Sequence, residues 1–181
     1  DIRQEMALLN DVVPLEGQRL SACLHTYEAA SNQRELILEW FTDQVIPQIP
    51  MDSASFLSIG CGAGELDVKI LAAGKAHAST IAYGGLEPDS QQCERFMSSM
   101  ELAGDQNTRV ETLNTNFERC TEQRRFDRVL MVHSLYYMDD PERAINKALN
   151  LVNESGRLIV LIALNDTLNE LSSSFWKMEN G

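Results

Sequence analysis

The sequence predicts an α/β fold, a mostly parallel sheet flanked by helices and preceded by an N-terminal helical pair. Three observations carry this expectation. From Phe56 onward, short apolar runs of strand length alternate with stretches of helical periodicity. The first of these strands runs straight into Gly60-Cys61-Gly62-Ala63-Gly64 at the start of a helix. Polar residues then recur just after the following strands, where right-handed crossovers place ligands in a parallel sheet. Residues 1–50 read as the helical segment and residues 51–181 as the α/β core, a single domain overall.

In chain order, Leu20, Cys23/Leu24 and Tyr27 form one apolar helical stripe. Asn32 with Glu35 fits a cap for a second helix, which carries Leu36, Ile37, Trp40, Phe41 and Val45 inward and stops at Pro47 and Pro50. Phe56 to Ile59 is a buried strand, and Glu65 to Ala73 a helix with Leu66, Ile70 and Leu71 inward. Ser79 to Leu86 is the second strand, and Glu87-Pro88-Asp89 turns into a helix from Ser90 to about Ala103. Arg109 to Leu113 and Phe126 to Val132 are the third and fourth strands. Asp139-Asp140-Pro141-Glu142 starts a helix with Pro141 in its first turn, running to about Val152. Ser155-Gly156 reads as a tight turn into a fifth strand, Arg157 to Ala163, and a last helix begins near Thr167.

The chain has 181 residues, with 15 Lys+Arg against 27 Asp+Glu and a net charge of −12. That length supports one domain with a real core. Such an acidic surface argues against nucleic acid, since phosphates need clustered cations, and the one dense basic patch is Arg124–Arg125 with Arg128. The four cysteines, Cys23, Cys61, Cys93 and Cys120, show no metal-ligand spacing, so no metal is expected and reduced thiols are. The longest apolar run, Leu158 to Leu164, is seven residues, against the ~20 a membrane helix needs, so no membrane partner is expected. No secretory signal is seen, and the expected location is cytoplasmic.

The glycine turn carries most of the chemistry. Glycines let the backbone turn tightly and approach a ligand, and the following helix offers free N–H groups. The dinucleotide pattern G-x-G-x-x-G/A has Glu65 at its sixth position here, a carboxylate that would repel pyrophosphate. A nucleoside without phosphates fits better, which points to S-adenosylmethionine. Glu87, ending the second strand, can accept bonds from both ribose hydroxyls. Asn114-Thr115-Asn116 suits an adenine edge, and Val132-His133-Ser134 ends the fourth strand ahead of Leu135-Tyr136-Tyr137. Each has a plainer reading: a tight turn, a first-turn acid favoured by the helix dipole, a polar turn, a strand-end histidine.

Taken together, Leu57-Ser58-Ile59-Gly60-Cys61-Gly62-Ala63-Gly64-Glu65, Leu86-Glu87-Pro88, Phe126-Asp127 and Leu135-Tyr136-Tyr137 resemble the class I S-adenosylmethionine-dependent methyltransferases, with their Rossmann-like fold. Within that group the chain is most similar to the histamine N-methyltransferase family, on Ser58-Ile59, Gly64-Glu65-Leu66-Asp67, the paired N-terminal helices and Phe175-Trp176-Lys177, from about Gln18 to Gly181. The resemblance implies S-adenosylmethionine held by Gly60, Cys61, Gly62, Glu87 and Gln92, with Thr115 or Asn116 near the adenine and Val132 beside it. Cys61 serves there through its small size. The N-terminal segment would cap the substrate side, and Tyr136 and Tyr137 would line the methyl acceptor. Gln33 stands where that family has a Glu for the amine, and His133 where it has a Gln for the imidazole. With Tyr137 these are the substrate-binding candidates, and His133 is also the candidate base.

The acceptor this implies is a small amine or imidazole. The family has seven strands, of which the sequence supplies five, leaving out the last two. The fifth strand is then an apolar edge that invites self-association or a partner strand. The other class of function that remains is a shortened, non-catalytic methyltransferase-like module that binds the cofactor or a protein. A dehydrogenase is set against by Glu65.

Overall fold

The computed structural model describes residues 31–162. The expected helix at Leu20–Tyr27, the closing helix from Thr167 and Phe175-Trp176-Lys177 lie outside the described residues. The chain divides into two units whose boundary falls between Glu39 and Trp40.

Helix α1, Gln33–Trp40, starts one residue after Asn32. The Ser31 hydroxyl accepts the Gln33 N–H at 3.1 Å, so the serine supplies a cap at this end. The expected inward stripe breaks here. Phe41 and Val45 are buried, but Leu36 and Trp40 are 54% and 42% exposed. A π-turn follows over Phe41–Val45, in which Ile46 N–H reaches back to the Phe41 carbonyl. An extra residue in the turn rotates the succeeding residues by about 100°, so a stripe read at helical spacing does not run through it. Pro47 then opens a 3-10 turn, Ile46–Gln48.

Five strands come next: β1 Ser53–Ile59, β2 Thr80–Glu87, β3 Thr108–Asn114, β4 Phe126–Val132 and β5 Val152–Leu161. They form one parallel sheet in the order β3-β2-β1-β4-β5. Helices α2 Glu65–Lys75, α3 Ser90–Ala103 and α4 Pro141–Asn150 supply three of the four crossovers. The cap expected at Asp139-Asp140 falls on Asp140, and Asp89 caps α3 as well. Asp89 accepts from Gln91 and Gln92 N–H at 2.8 and 3.3 Å, and Asp140 accepts from Arg143 N–H at 3.0 Å.

Strand β1 begins three residues earlier than its apolar run suggested. Its β4 ladder starts only at Phe56↔Arg128. Before that, the Asp127 carboxylate takes the Ser55 N–H at 2.8 Å and hydroxyl at 2.7 Å, and Asn153 at 2.9 Å. Side chains thus complete the ladder with polar residues, which hides the strand start from a hydrophobicity reading. Beside it, Arg128 is buried, donating to the carbonyls of Gln48 and Asp127. Burial, and then the nearby Arg157, lower its hold on the proton.

Ser155-Gly156 is not a turn between elements, as expected, but lies inside β5. Register jumps from Phe126↔Val152 to Arg128↔Arg157, so the intervening residues bulge out. A Cβ on Gly156 would stand 2.8 Å from the Phe126 carbonyl. The close approach selects glycine there, and it is a bulge signal as much as a turn signal.

Both faces of the sheet are covered. Leu57, Ile59, Val129 and Met131 pack with Ala144 and Ala148 of α4 and with Phe117. On the other face Phe56 stacks on Tyr83 at 5.1 Å, and Tyr83 leans on Phe96 of α3. Strand order reverses between β1 and β4, which opens the crevice where ligands sit in such sheets. No described helix is long and apolar enough to cross a membrane.

Candidate functional site

The turn after β1 lies at that crevice. Gly60, Gly62 and Gly64 have φ of 71°, 55° and 78°, a region closed to most side-chain-bearing residues. Gly60 and Cys61 N–H both donate to the Leu86 carbonyl, at 2.7 and 3.3 Å, which pins the turn to the end of β2. From below, the Phe96 ring supports it: a Cβ on Gly64 would meet that ring at 2.6 Å, as would one on Gly85 of β2. From the β4 side, a Cβ on Gly60 would lie 2.5 Å from Ser134 Cβ. Gly62 differs, because nothing lies within 4 Å of where its Cβ would be. The turn is wedged on two sides and open above Gly62.

Glu87 borders this opening. Its Oε2 accepts the Gly62 N–H at 3.1 Å and its Oε1 the Asp89 N–H at 3.1 Å. Each carboxylate oxygen has a second lone pair, so the group remains able to accept from a ligand. Asn114 fixes the strand end behind it, donating to the Glu87 and Pro88 carbonyls at 3.1 and 3.0 Å. Gln92 sits in the first turn of α3, directly after the Asp89 cap. Burial, followed by the charges of Asp67 and Glu87, pushes the Cys61 thiol far up, so it stays protonated and acts by its size. Asp67, in the first turn of α2, accepts the Tyr83 hydroxyl at 2.8 Å and joins the helix after the turn to β2.

Thr115 and Asn116 come directly after β3. Thr115 N–H bonds the Leu113 carbonyl at 3.0 Å, and Asn116 Oδ1 accepts the Arg119 N–H at 3.1 Å. At the end of β4, Val132 is half-buried and pairs with Leu161. His133 has φ 53°, which turns the chain out of the strand, and its N–H bonds the Leu161 carbonyl at 2.9 Å. Non-glycine residues adopt this region rarely, and such strain gathers at functional sites. Its Nδ1 lies 3.3 Å from the Tyr136 hydroxyl, with the two rings stacked at 6.2 Å and 17°. Tyr136 and Tyr137 meet edge to face at 6.4 Å on a 3-10 turn, and both are exposed. Neither belongs to the core.

The structure therefore hydrogen-bonds Gly62 to Glu87 and Gly60 and Cys61 to the neighbouring Leu86 carbonyl, and brings His133 together with Tyr136 and Tyr137. Gln92, Thr115, Asn116 and Val132 stand at or just beyond the ends of the neighbouring strands. Gln33 lies in the first turn of α1, in the other unit. Among the described residues no group of three or more His, Cys, Asp or Glu could hold a metal. Two residues have no role of their own in the sequence reading. Ser134 is 3% exposed and its hydroxyl has no hydrogen-bond partner, although its place beside His133 was a signal. Phe96 showed only as one apolar residue of a helix.

Comparison with known proteins agrees with this geometry. Residues 25–180 match the family model described as a methyltransferase domain. No curated protein matches the chain. Among solved structures, the plantazolicin methyltransferase BpumL, in complex with a triazolic desmethylPZN analog and SAH, is 17% identical with TM-score 0.63, over 86% of this chain and 57% of its own. Coclaurine N-methyltransferase, bound to N-methylheliamine and SAH, is 19% identical with TM-score 0.56, over 70% of this chain and 35% of its own. The cyclase SpnF is 21% identical with TM-score 0.50, over 66% of this chain and 43% of its own. At such identities the likeness is one of fold. The chain spans about half the length of the solved structures it matches.

Proposed function

Because the chain belongs to the methyltransferase-domain family, we propose that it binds S-adenosylmethionine and transfers its methyl group to a small amine or imidazole acceptor, histamine-like in size and charge. The observation that carries this reading is the Glu87 carboxylate bonded to the Gly62 N–H beneath open space. Three features fit the cofactor. The space above Gly62 admits a ligand against the backbone. The carboxylates of Asp67 and Glu87 act on Cys61 within the turn, and such charges suit a sulfonium and disfavour a phosphate. The buried, unpartnered Ser134 hydroxyl beside Gly60 marks a polar position at the crevice.

The bound cofactor supplies a methyl group already activated on sulfur. The chain then has to bind, align and exclude water, and alignment alone is worth roughly 7–11 kcal/mol. Gly60, Cys61 and Gly62 give the close backbone approach, Glu87 receives the ribose hydroxyls, and Gln92 borders the same side. Thr115 or Asn116 meets the adenine and Val132 its face. His133 takes the proton from the acceptor nitrogen, with its ring held by Tyr136. For an aliphatic amine of pKa about 10 that proton costs ~4 kcal/mol at neutral pH, whereas a neutral imidazole needs almost no such step. Tyr136 and Tyr137 flank a cationic acceptor at ~0.5–2 kcal/mol each. Gln33 is carried as the amine-side residue on resemblance alone.

One further reading is a methyltransferase-like module that binds the cofactor without transfer, favoured by the five strands of the described sheet where the resemblance implies seven. Calorimetry with S-adenosylmethionine and S-adenosylhomocysteine, followed by labelled methyl transfer to a panel of amines and imidazoles, separates the two. Transfer supports the enzyme, and binding without transfer supports the module. A folded chain that binds neither compound rejects both.

A further inference from the structure

We propose that Lys147, near the C-terminal end of α4, is a positioning residue that fixes the adenine-side wall of the site. Immediately after Thr115 the chain makes one isolated helical turn. Asn116 Oδ1 caps it, and the Cys120 N–H closes it on the carbonyls of Asn116 and Phe117 at 3.1 and 3.2 Å. A single turn is marginal by itself, because nucleation fixes several residues for one bond. Its last carbonyls also have no further helix to receive them.

Lys147 supplies what is missing. Its ammonium donates to the carbonyls of Phe117 at 2.6 Å, Glu118 at 3.1 Å and Cys120 at 2.7 Å. An ammonium has three donors, so all are spent on this one turn. The same nitrogen lies 4.9 Å from the Phe117 ring centroid, and Phe117 is buried in the core shared by the sheet and α4. A cation is the favoured partner for carbonyls at the end of a turn. Among the described residues no ion pair competes for it. A second tie, Asp139 N–H to Glu118 Oε1 at 3.4 Å, joins the turn to the segment after Tyr137. Lys147 of α4 and, more weakly, the segment ahead of the α4 cap thus hold the turn, and Thr115 and Asn116 stand where that hold leaves them.

This inference rests on the cofactor reading above, in which Thr115 or Asn116 meets the adenine. The test uses the full chain with Lys147→Met, which keeps the stem over Phe117 and removes every donor, and with Lys147→Arg. Calorimetry with S-adenosylhomocysteine and with its hypoxanthine counterpart gives the selectivity for adenine. Lys147→Met is expected to weaken S-adenosylhomocysteine by about tenfold and to bring the adenine selectivity close to one. Lys147→Arg, still a cation with several donors, keeps most of that selectivity. Without ligand, amide exchange at Arg119 and Cys120 speeds up in Lys147→Met by about tenfold while Gly60 to Gly64 is unchanged. Unchanged selectivity, or a uniform loss of affinity with the selectivity kept, overturns the proposal. If the wild-type chain binds neither compound, it is the cofactor reading that fails, and this inference with it.

Discussion

A methyl group placed on Gly62 and one placed on Gly60 differ in what they perturb. Both residues lie in the left-handed region, at φ 55° and 71°, where a side chain costs roughly 1–2 kcal/mol. At Gly62 that is the whole cost to folding, since nothing lies within 4 Å of the new Cβ. At Gly60 the Cβ lands 2.5 Å from Ser134 Cβ, an atom fixed to the backbone that cannot swing aside. Ordinary carbon contacts are about 3.5–4.0 Å, so the ends of β1 and β4 must part by over ~1 Å. Overpacking of that kind adds about 1–3 kcal/mol. Gly62→Ala is therefore expected to lower the melting temperature by about 2–8 °C and Gly60→Ala by two to three times as much. Binding runs the other way. Gly62→Ala fills the space assigned to the cofactor and leaves little stability lost, so S-adenosylhomocysteine should weaken by at least about tenfold in a variant that is still folded. Thermal denaturation and calorimetry on the two variants give both numbers. A Gly62→Ala chain that binds as well as wild type would refute the placement of the ligand over this turn. A Gly60→Ala chain as stable as Gly62→Ala would refute the close approach of β1 and β4.

Glu87→Gln exchanges one acceptor oxygen for a donor facing the N–H groups of Gly62 and Asp89, and is expected to cost ~1–3 kcal/mol of cofactor affinity in a titration. Unchanged affinity would move the ribose elsewhere. His133→Asn keeps a side chain that tolerates φ 53°, so cofactor binding and fold should persist while methyl transfer falls by ~100-fold, the low end for a general base; equal transfer would retire His133 as the base. Hydrogen bonding to Arg124 pulls the Glu122 carboxyl from its ordinary 4.5 to about 2. Its contribution to stability is present above pH 4.5 and lost as pH falls towards 2. Urea unfolding should show wild type ahead of Glu122→Gln by at most about 1 kcal/mol at pH 5, with the gap closing by pH 2. Among the described residues β5 pairs with β4 alone, and sedimentation over a dilution series is expected to show concentration-dependent association; a monomer at every concentration would remove that expectation.

The elements that local chemistry specifies were legible in the sequence. Asp89 and Asp140 announce α3 and α4, and the glycine turn announces the passage from strand to helix. Glu87, Asn114 and His133 show at strand ends because polar residues there interrupt apolar runs. The exceptions arose where one local signal has two structural solutions. Ser155-Gly156 serves a bulge as well as a turn, and a π-turn is invisible to a reading at 3.6 residues per turn. What makes a site of these residues is non-local. The sheet order β3-β2-β1-β4-β5 brings Gly62 to Glu87, Gly60 to Ser134, and both Gly64 and Gly85 onto Phe96. Lys147 reaches a turn 27 to 30 residues earlier in the chain. Periodicity and capping act within a few residues and so are written in the sequence itself. Contacts between strand ends depend on which strands become neighbours, and that is settled only when the two faces of the sheet are buried together.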